Sequence, residues 1–331
     1  MENIRYIHSR ESIGLADVSN LYGRVLATGA DALDLLHRMS TNDLRPLYNS
    51  AGKGIQTVLT TEKGRIVDLL TVISNGTGAL LITGKGNEKA VIDWLDKFVI
   101  MEDARFSVAS DSLLQFALFG PRALQYLTQM TGLDLIGMEN FSAAETTLHD
   151  TPVRLIKSLR IVETGFTIIC EKVLAADLFS KLSADIEALA GATIDEATYE
   201  TLRIEAGIPL FPSELNEKHN PLETSLVQAI SFTKGCYIGQ EVIARLDTYD
   251  KVQRHLMGVL TDSPDALAAP TAISTSDGTQ IGEITSTTFS PTLGKTIGLG
   301  FVKTAFANPG NTVTLDSRTG KLVSLPFDIE S

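Results

Sequence analysis

The residues best suited to chemistry lie together at 234–241, which read Lys-Gly-Cys-Tyr-Ile-Gly-Gln-Glu. The thiol of Cys236 stands two residues after a lysine. The thiolate is the reactive form of cysteine, and a nearby ammonium favours it. Gly235 and Gly239 permit backbone angles that other residues avoid, or the close approach of a partner. This pattern predicts a functional thiol at Cys236, and a buried structural cysteine is the alternative.

The second cysteine, Cys170, ends the apolar run 166–170 and is expected to be a buried structural residue. Two cysteines cannot form a disulfide framework. The sequence has no C-x-x-C pattern, and its five histidines show no metal-ligand spacing. We therefore expect no metal site, and no iron–sulfur cluster held by this chain alone.

The octapeptide resembles the signature of the YgfZ family of folate-binding proteins, whose members act in iron–sulfur cluster maintenance. That family belongs to the superfamily of the glycine-cleavage T-protein, an aminomethyltransferase. Other segments resemble the superfamily more broadly, and together they span nearly the whole chain. They are 16–19, 42–44, 199–209 with an R-x-E-A-G-x-P pattern, 220–223 with a P-x-E pattern, 282–286 and 290–295.

The resemblance implies a site for tetrahydrofolate or a one-carbon derivative of it. It places the superfamily's pterin-binding glutamate at Glu205, and a carboxylate can accept two hydrogen bonds from the edge of a pterin. It also assigns Arg203, Lys234, Tyr237 and Arg245 to folate binding. Lys234, Arg245 and Arg254 are the basic groups that would attract the carboxylates of folate and of a polyglutamyl tail. The alternative interpretation of Glu205 is a solvated glutamate on a helix face. The alternative for the basic residues is an ordinary charged surface.

The chain departs from the T-protein at Ala90. The resemblance implies an aspartate there, at the end of a Glu-Lys-Asp segment, which helps to activate the folate nitrogen; residues 88–90 of this chain read Glu-Lys-Ala. A site without a carboxylate lacks the group for proton transfer. This difference argues against aminomethyl transfer.

Three functions remain open from the sequence. The first is a tetrahydrofolate-binding accessory protein that supports iron–sulfur cluster assembly or repair, with Cys236 as its functional thiol and no enzymatic activity required. The second is a folate-dependent aminomethyltransferase. The third is a folate-binding module without catalysis. The expected partners are reduced folate and iron–sulfur client or assembly proteins.

The composition limits the cellular locations and the classes of partner that are expected for this chain. The net charge of −12 argues against a general nucleic-acid surface. No charged leader followed by an apolar run opens the chain, and no apolar run is long enough to cross a bilayer. We therefore expect a cytoplasmic protein. Two near-matches to nucleotide motifs, at 84–86 and 294–296, lack required glycines.

The predicted strands and helices that position these residues do not alternate strictly along the chain. This order predicts an α+β fold rather than a doubly wound sheet. A helix is expected over 31–39, and a third strand over 79–83 precedes a helix that starts at Asn87. The expected hairpins are 54–73, turning at 61–64, and 153–170, turning at 163–165. The further expected elements are a strand over 114–119, a helix over 121–130 and a helix over 173–189.

From about residue 251 the helical periodicity disappears, and short strands at 255–260, 282–287 and 297–302 predict a small β-barrel or sandwich. The loop-rich stretch 261–279 is expected to be an insertion. The resemblance implies two ferredoxin-like α+β modules and a C-terminal β-barrel around a central folate funnel. We accordingly place a folate-binding α+β region of two interleaved modules at 1–249 and the barrel domain at 250–331.

Overall fold

The computed structural model describes residues 2–158, 161, 165–263, 267–316 and 318–329. The chain divides into two compact units, and each is built from three separate stretches. The first unit comprises Met1–Thr60, Val67–Glu196 and Gln228–Ile238, and the second comprises Thr61–Ile66, Ala197–Val227 and Gly239–Ser331.

The described residues contain seven α-helices and seventeen strands. The helices are α1 (Glu2–Glu11), α2 (Ala32–Met39), α3 (Glu88–Asp96), α4 (Ala123–Thr131), α5 (Lys172–Ala188), α6 (Glu196–Glu205) and α7 (Gln240–Thr248). The first eleven strands are β1 (Gly14–Asp17), β2 (Tyr22–Thr28), β3 (Gly54–Thr60), β4 (Ile66–Ser74), β5 (Ala79–Gly84), β6 (Arg105–Val108), β7 (Leu113–Phe119), β8 (Ala143–Leu148), β9 (Thr151–Ser158), β10 (Gly165–Glu171) and β11 (Ala192–Ile194). The remaining six are β12 (Arg254–Thr261), β13 (Thr271–Ser274), β14 (Gln280–Ser290), β15 (Lys295–Lys303), β16 (Thr312–Leu315) and β17 (Arg318–Val323).

A five-stranded sheet of the first unit has the order β3-β4-β5-β2-β6. Helices α2 and α3 bury their apolar faces against it, and Val91, Trp94 and Leu95 supply the α3 contribution. Their spacing places them on one helical face, as predicted. Asn87 occupies the predicted N-cap position of α3 but makes no capping hydrogen bond. Its amide donates instead to the backbone oxygen of Val67 at 2.9 Å.

A six-stranded sheet of the same unit has the order β11-β1-β7-β10-β9-β8. Strands β1 and β11 run parallel, and the other pairs are antiparallel. The long helix α5 buries Leu178, Leu182 and Ile186 in the core of this sheet. These residues recur every four positions, which is the spacing of one helical face. The predicted turn at 163–165 lies outside the described residues except for Gly165, which begins β10.

The second unit contains a closed barrel of six strands in the order β12-β15-β14-β13-β16-β17. Its interior is filled by apolar side chains that include Ile273, Ile284 and Val302. The predicted barrel strands are therefore confirmed. The expectation that 261–279 is an insertion is wrong for its second half, because β13 is one of the barrel strands and pairs with both β14 and β16. Residues 264–266 lie outside the described part.

The α+β class with a C-terminal barrel is confirmed by this architecture. The predicted strands and helices of the first unit are present with ends that differ by a few residues. No helix was predicted over the ranges of α1, α6 and α7. Among the described residues, no helix is both long and apolar enough to span a membrane.

Candidate functional site

The octapeptide is anchored in the first unit by the side chain of Lys234. Its ammonium is buried and donates hydrogen bonds to the backbone oxygens of His37, Ser40 at 2.8 Å and Asn42 at 2.9 Å. These oxygens lie at and just beyond the C-terminal end of α2, where carbonyl groups lack helical partners and the helix dipole favours a cation. Burial lowers the pKa of Lys234 to about 8. The three bonds use all three ammonium hydrogens.

Further hydrogen bonds hold the stretch 228–238 along its length. Thr41 donates through its hydroxyl to the backbone oxygen of Ala229 at 2.6 Å, and Ser231 donates its backbone N–H to the oxygen of Thr41 at 3.0 Å. At the other end, the hydroxyl of Thr60 donates to the backbone oxygen of Ile238 at 2.6 Å. The loop around the thiol is therefore fixed at both ends.

Within this loop some side chains are buried and others are exposed. Lys234 and Tyr237 are buried, and the Lys234 nitrogen lies 5.5 Å from the centroid of the Tyr237 ring. Burial raises the pKa of Tyr237 to about 12. Cys236 is exposed between them. The contacts of Lys234 and Tyr237 hold the loop in place, and their predicted binding of folate stays a prediction, as does the influence of Lys234 on the thiolate.

The two glycines of the octapeptide differ in their structural roles. Gly239 has a φ of +84° at the residue before α7, a conformation that favours glycine, so its prediction is confirmed. Gly235 has an ordinary φ, and a Cβ atom placed on it would meet nothing within 4 Å. Gly235 therefore does not use the backbone angles that only glycine tolerates, and the alternative that it permits the close approach of a partner stays a prediction.

Cys170 is buried on β10, as predicted. Burial raises the pKa of its thiol to about 11. The two cysteines therefore differ in their access to solvent. Among the residues that the structure describes, no group of three or more His, Cys, Asp or Glu side chains is placed to hold a metal ion.

Arg203, on α6 in the second unit, is only 1% exposed. Its guanidinium donates to the Glu200 carboxylate at 2.9 Å and to the Ser286 hydroxyl at 3.1 Å, and it forms an ion pair with Glu214 at 3.2 Å. Glu214 is fully buried and also accepts a hydrogen bond from Ser286 at 2.7 Å. Arg203 thus joins α6 to strand β14, and its predicted contact with folate stays a prediction.

Glu205 ends the same helix and is 2% exposed. Its carboxylate accepts a hydrogen bond from the Ser290 hydroxyl at 2.6 Å, and its backbone oxygen accepts one from Phe327 N–H at 2.9 Å. The alternative of a solvated glutamate on a helix face is therefore wrong. Arg245, the remaining predicted folate residue, is exposed on α7. The predicted site residues are divided between the two units.

Glu223 belongs to the P-x-E segment but was not among the predicted site residues. It is 4% exposed, and its carboxylate lies 3.8 Å from the Arg65 guanidinium and 3.5 Å from the His219 ring. It borders a cavity of about 600 Å3 in the second unit. Glu205 borders neither this cavity nor the smaller one described below. The P-x-E pattern was the available signal for Glu223.

Asp68 is the carboxylate that the sequence analysis missed. It is buried on β4 and accepts hydrogen bonds from the N–H of Gly84 at 3.0 Å, the amide of Asn87 at 3.1 Å and the N–H of Leu69 at 2.8 Å. Burial raises its pKa to about 7, against these donors. Ala90, by contrast, is exposed on α3. The inference that Ala90 removes the proton-transfer group of the folate site, and so argues against aminomethyl transfer, stays a prediction.

Two family profiles match the chain. The profile of the GCVT N-terminal domain matches residues 5–234, and that of the glycine cleavage T-protein C-terminal barrel domain matches residues 254–327. The chain belongs to the glycine cleavage T-protein family. The finer assignment to the YgfZ branch stays a prediction.

Relatives in this family match over most of the chain. A chloroplastic protein of Arabidopsis thaliana, named a putative transferase, is 30% identical over 311 residues, covering 94% of this chain and 70% of the relative. An aminomethyltransferase of Geobacillus kaustophilus is 30% identical over 326 residues, covering 96% and 88%. The crystal structure of the glycine cleavage system aminomethyltransferase T of Bartonella henselae has a TM-score of 0.85, covers 98% of this chain and 89% of that chain, and is 22% identical, so it shows the shared fold.

The titration of Asp68 predicts a pH dependence of stability. Because the pKa is raised from 3.8 to about 7 on folding, the contribution of this group to the unfolding free energy is fully present below pH 3.8 and is lost as the pH rises to about 7. The unfolding free energy of the wild type minus that of Asp68→Asn should be lower at pH 8 than at pH 5 by roughly 2–3 kcal/mol. Urea unfolding at both pH values measures it.

Asp96→Asn, at an exposed carboxylate of the same region, is the matched control for that experiment. Its unfolding free energy relative to the wild type should hardly change between the two pH values. An equal pH dependence in the comparisons with Asp68→Asn and Asp96→Asn would contradict the assignment to Asp68.

The two thiols should react at very different rates. Iodoacetamide at pH 8 should alkylate Cys236 in the folded protein, because it is exposed, and leave Cys170 intact. With a pKa of about 11, only about a thousandth of the Cys170 thiol is ionised at that pH, and it is also buried. Peptide mass mapping against time measures both rates, and protein unfolded in urea is the control. Faster alkylation of Cys170 than of Cys236 would refute this reading.

Proposed function

We propose that this protein binds a reduced folate and uses the exposed thiol of Cys236 in the assembly or repair of iron–sulfur clusters. The observation that carries the proposal is the octapeptide loop. Its lysine and tyrosine are buried and its cysteine is exposed. A loop that is fixed at both ends presents a thiol to a partner at little cost in conformational entropy.

The folate half of the proposal is supported by family membership and by buried carboxylates in the two motif segments. Relatives of this chain are named aminomethyltransferases. Tetrahydrofolate carries one-carbon units on N5 of its pterin and on the adjacent N10, so a pterin site is the expected common feature. A carboxylate in a buried setting accepts paired N–H groups with more selectivity than one in water.

Glu205 and Glu223 are the two candidates for the pterin contact. Glu205 is the residue expected from the sequence, and its burial suits the role. Glu223 is also buried and borders a cavity large enough for a small ligand. Arg203, Tyr237, Lys234 and Arg245 remain the other proposed folate residues.

Aminomethyl transfer is a second candidate function, favoured by the names of the relatives and by Asp68. A carboxyl group whose pKa lies near 7 can both accept and release a proton at neutral pH. In this reading Asp68 supplies the proton transfer for which the sequence analysis found no group. A cell-free assay of one-carbon transfer from an aminomethylated lipoyl carrier to tetrahydrofolate distinguishes it from the accessory role.

Isothermal titration with tetrahydrofolate tests the folate site. We expect saturable binding by the wild type and a loss of tenfold or more in affinity for the glutamate-to-glutamine variant of the pterin-binding residue, because the amide accepts one N–H where the carboxylate accepts two. Glu205→Gln and Glu223→Gln are compared, and Glu187→Gln, at an exposed glutamate of α5 outside both cavities, is the control. No saturable binding by the wild type would overturn the proposal, and equal affinity of both variants with the wild type would remove both residues from the site.

A cellular test addresses Cys236. In cells that lack the endogenous protein, Cys236→Ser should restore iron–sulfur enzyme activity at least fivefold less well than the wild type, while its folate affinity and melting temperature stay unchanged, because an exposed thiol contributes little packing. Thr233→Ala, at an exposed residue of the same loop, should restore activity fully. Full restoration by Cys236→Ser would leave a folate-binding module without a functional thiol.

A further inference from the structure

Two cavities of the second unit share three basic residues. Lys218, Arg254 and Lys303 line both the cavity of about 600 Å3 and a second one of about 350 Å3. Arg65 and Lys251 also line the larger cavity. We call these five side chains the basic cleft. The acidic residues on the same walls are Glu223, Asp250 and Glu283.

The charge of the basic cleft is opposite to that of the chain. The whole protein has 28 basic and 40 acidic residues, whereas these walls have five basic and three acidic ones. One of the three, Glu223, is already balanced by Arg65 at 3.8 Å and faces His219 at 3.5 Å. A cleft with a net positive charge raises the local concentration of anionic ligands.

A pair of like charges lies on the wall that the two cavities share. Arg254 begins β12 and Lys303 ends β15, and the two residues are direct partners in this antiparallel pair. Side chains of direct partners lie on the same face about 5 Å apart, and like charges there are destabilising. The Lys303 ammonium donates to the backbone oxygen of Gln280 at 3.0 Å. Within the described part of the chain, the Arg254 guanidinium has no hydrogen-bond or ion-pair partner.

The same wall is held in place by hydrogen bonds. Thr304 donates its N–H to the backbone oxygen of Gln253 at 3.0 Å and its hydroxyl to that of Val252 at 2.5 Å. The Arg65 guanidinium donates to the backbone oxygen of Lys218 at 2.9 Å, which fixes a second side of the cleft. The cations therefore project from ordered backbone, so binding an anion costs little backbone ordering.

We propose that the basic cleft binds a small oligoanion, a ligand that carries two or more phosphate or carboxylate groups. Such a ligand would lie against Arg254 and Lys303 and relieve their mutual repulsion. Arginine donates paired N–H groups to two oxygens of either a carboxylate or a phosphate, and lysine adds a point charge. Cavities of several hundred Å3 are typical of small-ligand sites. The cleft borders Glu223, one of the two candidates for the pterin contact, and an oligoanion bound here is distinct from a pterin held at Glu205.

Titration calorimetry with sodium tripolyphosphate and, separately, with citrate tests the proposal on the full chain. Neither probe contains a pterin, so the result is independent of folate binding. We expect saturable one-to-one binding of at least one probe, weakened when NaCl is raised from about 20 to about 200 mM. The double variant Arg254→Gln, Lys303→Gln should lose tenfold or more in affinity. Lys321→Gln, at an exposed lysine of β17 outside the cleft, removes a charge elsewhere on the barrel and should change it less than twofold.

The two probes also identify the chemistry of the ligand. Tighter binding of tripolyphosphate points to a phosphate-bearing ligand, and tighter binding of citrate points to a polycarboxylate. Without ligand, Arg254→Gln should melt at or above the wild-type temperature, because it removes a like-charge pair, so a loss of binding is not a loss of folding. The proposal is overturned if neither probe binds saturably, if Lys321→Gln weakens binding as much as the double variant, or if Arg254→Gln lowers the melting temperature.

Discussion

The buried ammonium of Lys234 is the contact on which the position of the octapeptide depends. It supplies hydrogen-bond donors to three carbonyl oxygens at the end of α2, on a stretch of chain far away in sequence. A buried carbonyl without a donor costs about 1–3 kcal/mol, so one side chain offsets several such penalties at once. The desolvation that lowers the pKa of Lys234 is the opposing cost. Cys236 is exposed between two buried side chains, those of Lys234 and Tyr237.

The second unit uses the same principle with an arginine. Arg203 and Glu214 are both buried, and hydroxyls of the barrel complete their hydrogen bonds. Removing either partner would leave a buried charge without compensation, which is far more costly than losing an exposed ion pair. The R-x-E-A-G-x-P segment therefore holds α6 on the barrel through its arginine, and its glutamate is placed as a consequence. The motif has an architectural role as well as any role in binding.

The regular elements were predictable wherever local sequence has a strong period. Helix α5 is an example, because its buried apolar residues repeat every four positions. The strands on both sides of residues 61–64 were detectable instead as short apolar runs next to a turn. Helix α7 was missed, since only Ile243 of its nine residues is buried and no apolar stripe exists to detect. The barrel was predictable as a class from its short strands and frequent turns, but the role of β13 was not.

The candidate site was predictable in its residues and not in their partners. The polar setting of Cys236 indicated an exposed thiol, which the structure has. The direction of Lys234 could not be predicted, because its acceptors lie 192 to 197 residues earlier. Asp68 was missed because an acid inside a strand reads as an outward-facing residue. Its donors, Gly84 and Asn87, come from a later part of the chain, and only the folded arrangement makes it buried.

The long separation between Lys234 and its acceptors has a consequence for biosynthesis. The first unit includes Gln228–Ile238, which is made only after Ala197–Val227 of the second unit. At a synthesis rate of about 5–20 residues per second, roughly 10–40 s pass between the translation of the end of α2 and the translation of Lys234. During that interval water must solvate the carbonyls that the ammonium later covers. A nascent chain that stalls before residue 234 therefore lacks part of the first unit. That unit can complete its folding only late in translation.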